Sequence, residues 1–223
     1  MKKRAAFLIG TGCVLLTASL SLFASNQVQS VQAAKSVDAL TNSFQSDLHS
    51  VSVEESGTDV AGIQVQSDNP GSFSALAITN QTTAKSVVID GQEYIGLLSI
   101  PSLGLNLPVN KDISYPLMRA TPCRYYGDAE TDSLIIAAHN YNSHFGRIGT
   151  LNPGDKVTFT DANGKTETYA VSAVQTLPGN AVDEMIKHGD WDLTLFTCNY
   201  SGAQRITVRC VKEAAAEIYA SLE

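Results

Sequence analysis

Leu193-Thr194-Leu195-Phe196-Thr197-Cys198, then the polar stretch Asn199–Gln204, then Arg205-Ile206-Thr207-Val208-Arg209-Cys210-Val211 decides how this chain is read. Two β-favouring runs flank a short loop, the pattern of an antiparallel hairpin. Such a hairpin sets Cys198, at the end of one strand, beside Arg205, at the start of the next. A guanidinium next to a thiol favours the thiolate, so one local unit carries a candidate nucleophile and its electrostatic partner. Ile206, Val208 and Cys210 form the apolar alternation class of the second strand, which turns Arg205 away from the local core. Arg209 shares that face but lies farther from the loop. A solvated surface arginine is the plain alternative for Arg205.

Upstream, short β-like runs follow one another between turn signals. Tyr94–Ile100 is closed by Pro101, and Leu105–Val109 comes next. Leu134–Ala138 is continuously apolar, as expected of a fully buried strand. Val157–Thr160 and Thr166–Val174 flank Asn163-Gly164, a hairpin turn signal. Ala181–His188 and Glu213–Leu222 read as short helices. Many strands at short spacing predict an all-β barrel or sandwich with a few short helices rather than βαβ units. His139 sits at the end of the buried run Leu134–Ala138. Imidazole titrates near neutrality, so a rigidly held His139 is the candidate acid and base; a structural histidine at a strand end is the alternative. His49, His144 and His188 lie in a linker, a loop and a helix end.

The chain has 223 residues, 43% of them hydrophobic, enough for one well-buried domain with appendages. Its net charge of −7 offers no broad basic surface for phosphates, which argues against nucleic-acid binding. Met1-Lys2-Lys3-Arg4 precedes an uncharged run from Ala5 to Ala24 long enough to cross a bilayer as a helix. Residues 1–34 are therefore read as a signal anchor, or as a signal peptide cut after Ala24 or Ala33. Residues 35–85, rich in Ser, Thr, Gln, Asn and Asp and carrying Asn69-Pro70-Gly71, read as a flexible linker. Residues 86–223 read as the compact domain, working outside the membrane.

Beyond Cys13 in the leader, Cys123, Cys198 and Cys210 are an odd number for an exported chain. Cys123 and Cys210 could pair and leave Cys198 free, or both could be small buried core residues. The chain holds no C-x-x-C pair, no H-E-x-x-H helix and no glycine-rich phosphate loop, so neither a metal nor another cofactor is expected.

Leu193–Cys198 resembles the T-L-x-T-C motif of sortases through Thr194, Leu195, Thr197 and Cys198. Arg205 matches the arginine that opens the family's next strand, and Ile135–His139, I-I-A-A-H, is similar to its apolar strand ending in A-G-H, with Ala138 in place of the glycine. Tyr94–Val109 is similar to the family's opening strand and following loop. No Asp-Pro-aromatic lid motif occurs in the linker. The resemblance implies a closed β-barrel and a membrane-tethered, extracellular cysteine transpeptidase. Cys198 would be the nucleophile, His139 the proton donor and acceptor, and Arg205 the group that holds substrate or oxyanion. Implied partners are surface proteins with a C-terminal LPXTG-like sorting signal and an amine acceptor such as a peptidoglycan precursor. Some relatives bind calcium; the acidic patch Asp128–Asp132 reads here as solvated surface. The competing readings are an exported, non-catalytic β-barrel that binds wall components, and a cysteine peptidase that hydrolyses without transfer.

Overall fold

The computed structural model describes residues 31–46, 85–187 and 189–213, with Thr17, Ser19, Ser21 and Val28 as single helical residues. Most of the leader, residues 47–84, His188 and the helix expected after Glu213 lie outside the described residues. Among those described, no helix is long and apolar enough to cross a membrane.

Nine strands form one sheet: β1 (Val87–Ile89), β2 (Gln92–Ile100), β3 (Leu105–Asn110), β4 (Cys123–Tyr126), β5 (Leu134–Ala137), β6 (Lys156–Asp161), β7 (Thr166–Pro178), β8 (Leu193–Cys198) and β9 (Gln204–Lys212). Their order is β1-β2-β3-β4-β5-β8-β9-β7-β6, and β6 pairs back onto β2, closing every strand but β1 into a barrel. Closure requires a glycine at residue 96. A Cβ there would run into the Thr160 carbonyl oxygen and the Phe159 ring, on the strand that seals the barrel. The seam between β3 and β4 is thinnest, a single pair, Asn110 with Cys123. Pro108 accepts a hydrogen bond from the Thr121 hydroxyl on that side but has no N–H to offer β4.

Alternation sorts the strands into two faces. Leu98, Ile100, Leu107, Val109, Leu134, Ile136, Leu193, Leu195, Val208 and Cys210 fill the barrel interior with Phe159 and Tyr169. The intervening residues Ile135, Ala137 and Phe196 point outward and join Met118, Cys123 and Met185 in a second apolar layer. Met118 comes from α2 (Tyr115–Ala120) and Met185 from α3 (Val182–Ile186). Sequence reading gave α3 slightly longer and did not foresee α2, β1 or β4. The signal for α2 is Ser114, whose hydroxyl accepts from Leu117 N, followed by a proline in the first turn.

Residues 31–46 form a helix, α1, although all of it from residue 35 onward was expected to belong to a flexible linker. Ala33, Val37, Thr41 and Phe44 are its buried stripe, one helical face at steps of four, four and three residues. Phe44 packs with Val87, Ile89, Tyr94, Leu97 and Ala162 on the outside of the barrel. The Thr41 hydroxyl donates to the Asn106 carbonyl at 3.1 Å. Gln32, Lys35, Asp38, Asn42, Gln45 and Ser46 on the exposed side of α1 mask the apolar period in composition.

Candidate active site

The hairpin read from sequence is present. Cys198 pairs directly with Arg205 across β8 and β9, and Asn199 N donates to Gln204 O at 3.0 Å to close the loop. β5 runs parallel to β8 with Ala137 opposite Phe196. Beyond that pair the strands stay stitched: Ala138 N donates to Phe196 O at 3.2 Å, and the Thr197 hydroxyl donates to Ala138 O at 2.8 Å. These bonds set Ala138 beside Thr197, so His139 follows directly at the end of β5 that neighbours the Cys198 end of β8. Cross-strand partners share a face, so Cys198 and Arg205 project from the outer side of the barrel, in line with Phe196 and Thr207. The sheet thus pairs two of the three residues singled out from sequence, Cys198 and Arg205, and the third, His139, stands at the end of the strand next to β8.

Cys198 is partly exposed, whereas Cys123 and Cys210 are fully buried, and all three are free thiols. The disulfide alternative fails because Cys123 lies in the outer apolar layer and Cys210 in the barrel interior. Burial pushes both of their thiols up to about 12, so neither competes as a nucleophile.

Arg205 is almost buried, at 9% exposure, which removes the solvated-surface alternative. Its Nη1 donates to Gly202 O at 2.9 Å and to Gln204 O at 3.2 Å, anchoring the guanidinium to the loop that follows Cys198. Its charge reaches the Tyr125 hydroxyl on β4, opposing the upward push of burial there.

Around His139 the structure adds residues that sequence reading left out. Tyr115 of α2 meets the imidazole edge-on at 5.0 Å, and Tyr141 leans against it at 5.1 Å. The Arg119 guanidinium lies 5.1 Å from the centre of the Tyr115 ring. His139 Nε2 is buried without a hydrogen-bond partner. Burial, then the Arg119 charge, holds the imidazole below its ordinary range. Behind Tyr141, at 5.5 Å, stands His144, fully buried. Burial lowers it to about 4; the Ala120 backbone opposes this in part without closing a hydrogen bond of normal geometry. An aromatic collar on a strand-end histidine has no local sequence signature, because Tyr115 reaches it from a helix some twenty residues upstream.

The acidic patch is not simply solvated surface. Asp128 is buried and accepts from Thr131 N and Oγ1 at 2.8 and 3.0 Å, and Asp132 pairs with Lys212. No group of His, Cys, Asp and Glu suited to a metal ion occurs among the described residues.

A partly exposed thiol, a half-buried imidazole whose charged form burial disfavours, and a fixed guanidinium at neighbouring strand ends define a candidate site for acyl transfer through sulfur. The family model described as a sortase domain matches residues 98–213, and the chain belongs to the sortase family. A curated relative, Sortase A of Bacillus anthracis, is 30% identical over 115 residues, covering 49% of this chain and 54% of the relative; the chain thus spans about half the length of the curated relative it matches. Among solved structures, sortase C2 of Group B Streptococcus pilus island 1 aligns with a TM-score of 0.50 and 19% identity, over 56% of this chain and 76% of that one, a likeness of fold alone. Sortase C from Clostridium perfringens SM101 aligns at 0.48 and 23% identity over 53% and 69%.

Proposed function

We propose that this chain is a cysteine transpeptidase that cuts an LPXTG-like sorting signal on surface proteins and passes the acyl group to a cell-wall amine. The reading rests above all on the pairing of Cys198 with Arg205, with His139 just past the end of the neighbouring strand β5. Cys198 Sγ attacks the scissile carbonyl while its proton passes to His139, whose neutral form burial favours. The protonated imidazole returns that proton to the leaving amine as the C–N bond breaks, leaving a thioacyl enzyme. An incoming amine then attacks the thioester, gives its proton to His139, and frees Cys198. Arg205 hydrogen-bonds the substrate or the oxyanion and cannot itself act as a base. The basic cluster and uncharged run within residues 1–34 tether the enzyme to the membrane, with the domain on the extracellular side.

The test is a fluorogenic sorting peptide with and without excess glycine-type amine. Wild-type protein yields the amine-ligated product and a mass adduct on Cys198, and Cys198→Ala yields neither. Water-derived product alone, despite high amine, makes the chain a peptidase. No turnover together with a Cys198 inert to a methanethiosulfonate makes it a binding module.

A further inference from the structure

Arg209 lies on β9, on the same outer face as Arg205, yet it takes no part in the site described above. It is 2% exposed and heads the largest fully buried side chains. Burying a guanidinium costs several kcal/mol unless the charge is compensated. No carboxylate pairs with it among the described residues. Its Nη1 instead donates to the Thr194 hydroxyl at 2.8 Å and to Met185 O at 3.2 Å, and its Nη2 donates to Glu184 O at 2.7 Å. Its plane stacks on Trp191 at 4.2 Å. Glu184 and Met185 belong to the last turn of α3, whose carbonyls have no partners within the helix. One buried cation therefore ties β8, β9, the end of α3 and Trp191 together.

These contacts hold the connection between β7 and β8, residues 179–192. Its two ends are fixed by the backbone: Gly179 N donates to Ala203 O at 2.8 Å in the loop after Cys198, and Asp192 N donates to Cys210 O at 2.9 Å. Between the ends, Met185 is the buried apolar anchor and rests in the layer with Ile135, Ala137 and Phe196. Ala137 and Phe196 each stand one alternation step from His139 and Cys198. A cavity of about 130 Å³ opens nearby, where Ile186, Trp191 and Thr194 meet the polar residues Asp132, Lys187 and Asp192.

We propose that Arg209 is a positioning residue, which latches α3 and Trp191 along the outer face of β8 and β9 and so sets the groove wall where the acyl-donor peptide meets Cys198. Four residues of strand, roughly 13 Å, separate Arg209 from Arg205, so it acts through the wall and not on the reacting atoms. The inference rests on the transpeptidase reading.

The experiment compares wild type, Arg209→Met and Arg209→Lys in the full chain. Wild-type turnover of the sorting peptide comes first, and its absence sinks the enzymatic reading. Given turnover, Arg209→Met raises the KM for peptide about tenfold or more, the scale of loss that a misplaced substrate contact produces. Its kcat and its rate of Cys198 alkylation by a small methanethiosulfonate stay close to wild type. Trp191, the chain's one tryptophan, moves to redder emission as its guanidinium partner is lost. Arg209→Lys recovers part of the KM, since an ammonium still donates to the helix carbonyls. Should Arg209→Met not fold, Trp191→Phe and Thr194→Val each remove one side of the latch and raise KM in the same direction, by less. Shifted Trp191 emission with unchanged KM overturns the latch, as does a loss of alkylation in step with the loss of turnover.

Discussion

The inner and outer faces of β5, β8 and β9 are made from interleaved residues of the same three strands, and they differ in what completes them. The inner face closes on itself: Leu134, Ile136, Leu193, Leu195 and Val208 meet across the barrel, and each is essentially inaccessible to water. The outer face carries His139, Cys198 and Arg205 and is completed by material from elsewhere, α2 with Tyr115 and Met118 on one side and α3 with Met185 on the other. One face is a packing solution fixed by alternation, and the other is a surface covered in part by two short helices. Substitutions on the two faces should accordingly fail in different ways.

The sharpest contrast is between His139 and Leu195. His139→Ala should cut kcat by about 10²–10⁴-fold, the usual worth of a general acid–base, with little change in the denaturant midpoint. Leu195→Ala should cost about 2–5 kcal/mol of stability while the molecules that remain folded keep their activity. Paired urea melts and single-turnover assays check both. A large stability loss in His139→Ala would erase the distinction between the faces.

A similar loss is expected outside the barrel. Phe44→Ala should destabilise the protein by about 3–5 kcal/mol, because Phe44 is fully buried against β1 and β2. If α1 were a loosely tethered linker, the melting curve would not move.

That contrast follows what the sequence made legible. Alternation in Leu193–Val211 and the apolar run Leu134–Ala138 were enough to read β5, β8, β9 and the inner core, since strand period is a local property. The Cys198–Arg205 pair was readable for the same reason, being contained in one hairpin. His139 was readable from its place at a strand end, but its proximity to Cys198 depends on a parallel pairing between β5 and β8 that no local pattern encodes. Tyr115, Tyr141 and His144 were not legible as surroundings of His139, nor Arg209 as a buried tie to α3. Each acquires its role from partners distant in sequence or from helices too short to show a period. Arg209 looked equivalent to Arg205 by alternation, and only the docking of α3 separates a loop-bound guanidinium from a latch.

His144 gives the next prediction, smaller and dependent on pH. Its folded pKa of about 4 lies below the ordinary value of 6.5, so the unfolded chain binds the proton more readily than the folded one. The sign is fixed by linkage: stability is complete above pH 6.5 and is lost as pH falls towards 4, by up to about 1.4 kcal/mol per pH unit. His139 is lowered too and adds to the same loss. Carboxylates also titrate at the acid end of this window, so the informative quantity is the difference between wild type and His144→Gln. The variant's stability should depend less steeply on pH between 6.5 and 4; parallel curves would mean that the buried ring takes up its proton as readily in the folded protein as in the unfolded chain.

The smallest effect tests how firmly α2 holds the outer face. Ser114→Ala removes the hydroxyl that accepts from Leu117 N at 3.3 Å and should cost about 1 kcal/mol. The loss falls first on the turn that carries Tyr115 against His139, so frayed residues there would let water reach the imidazole. Desolvation is the larger reason for the lowered pKa of His139, and the variant's imidazole should therefore titrate closer to 6.5 than the wild-type ring. An NMR titration of the His139 ring protons, run beside a thermal melt, reads both consequences. A lost kcal/mol with an unmoved His139 titration would mean that Tyr115 keeps its place without its helix cap, and that Tyr141 and the strand end alone shield the imidazole.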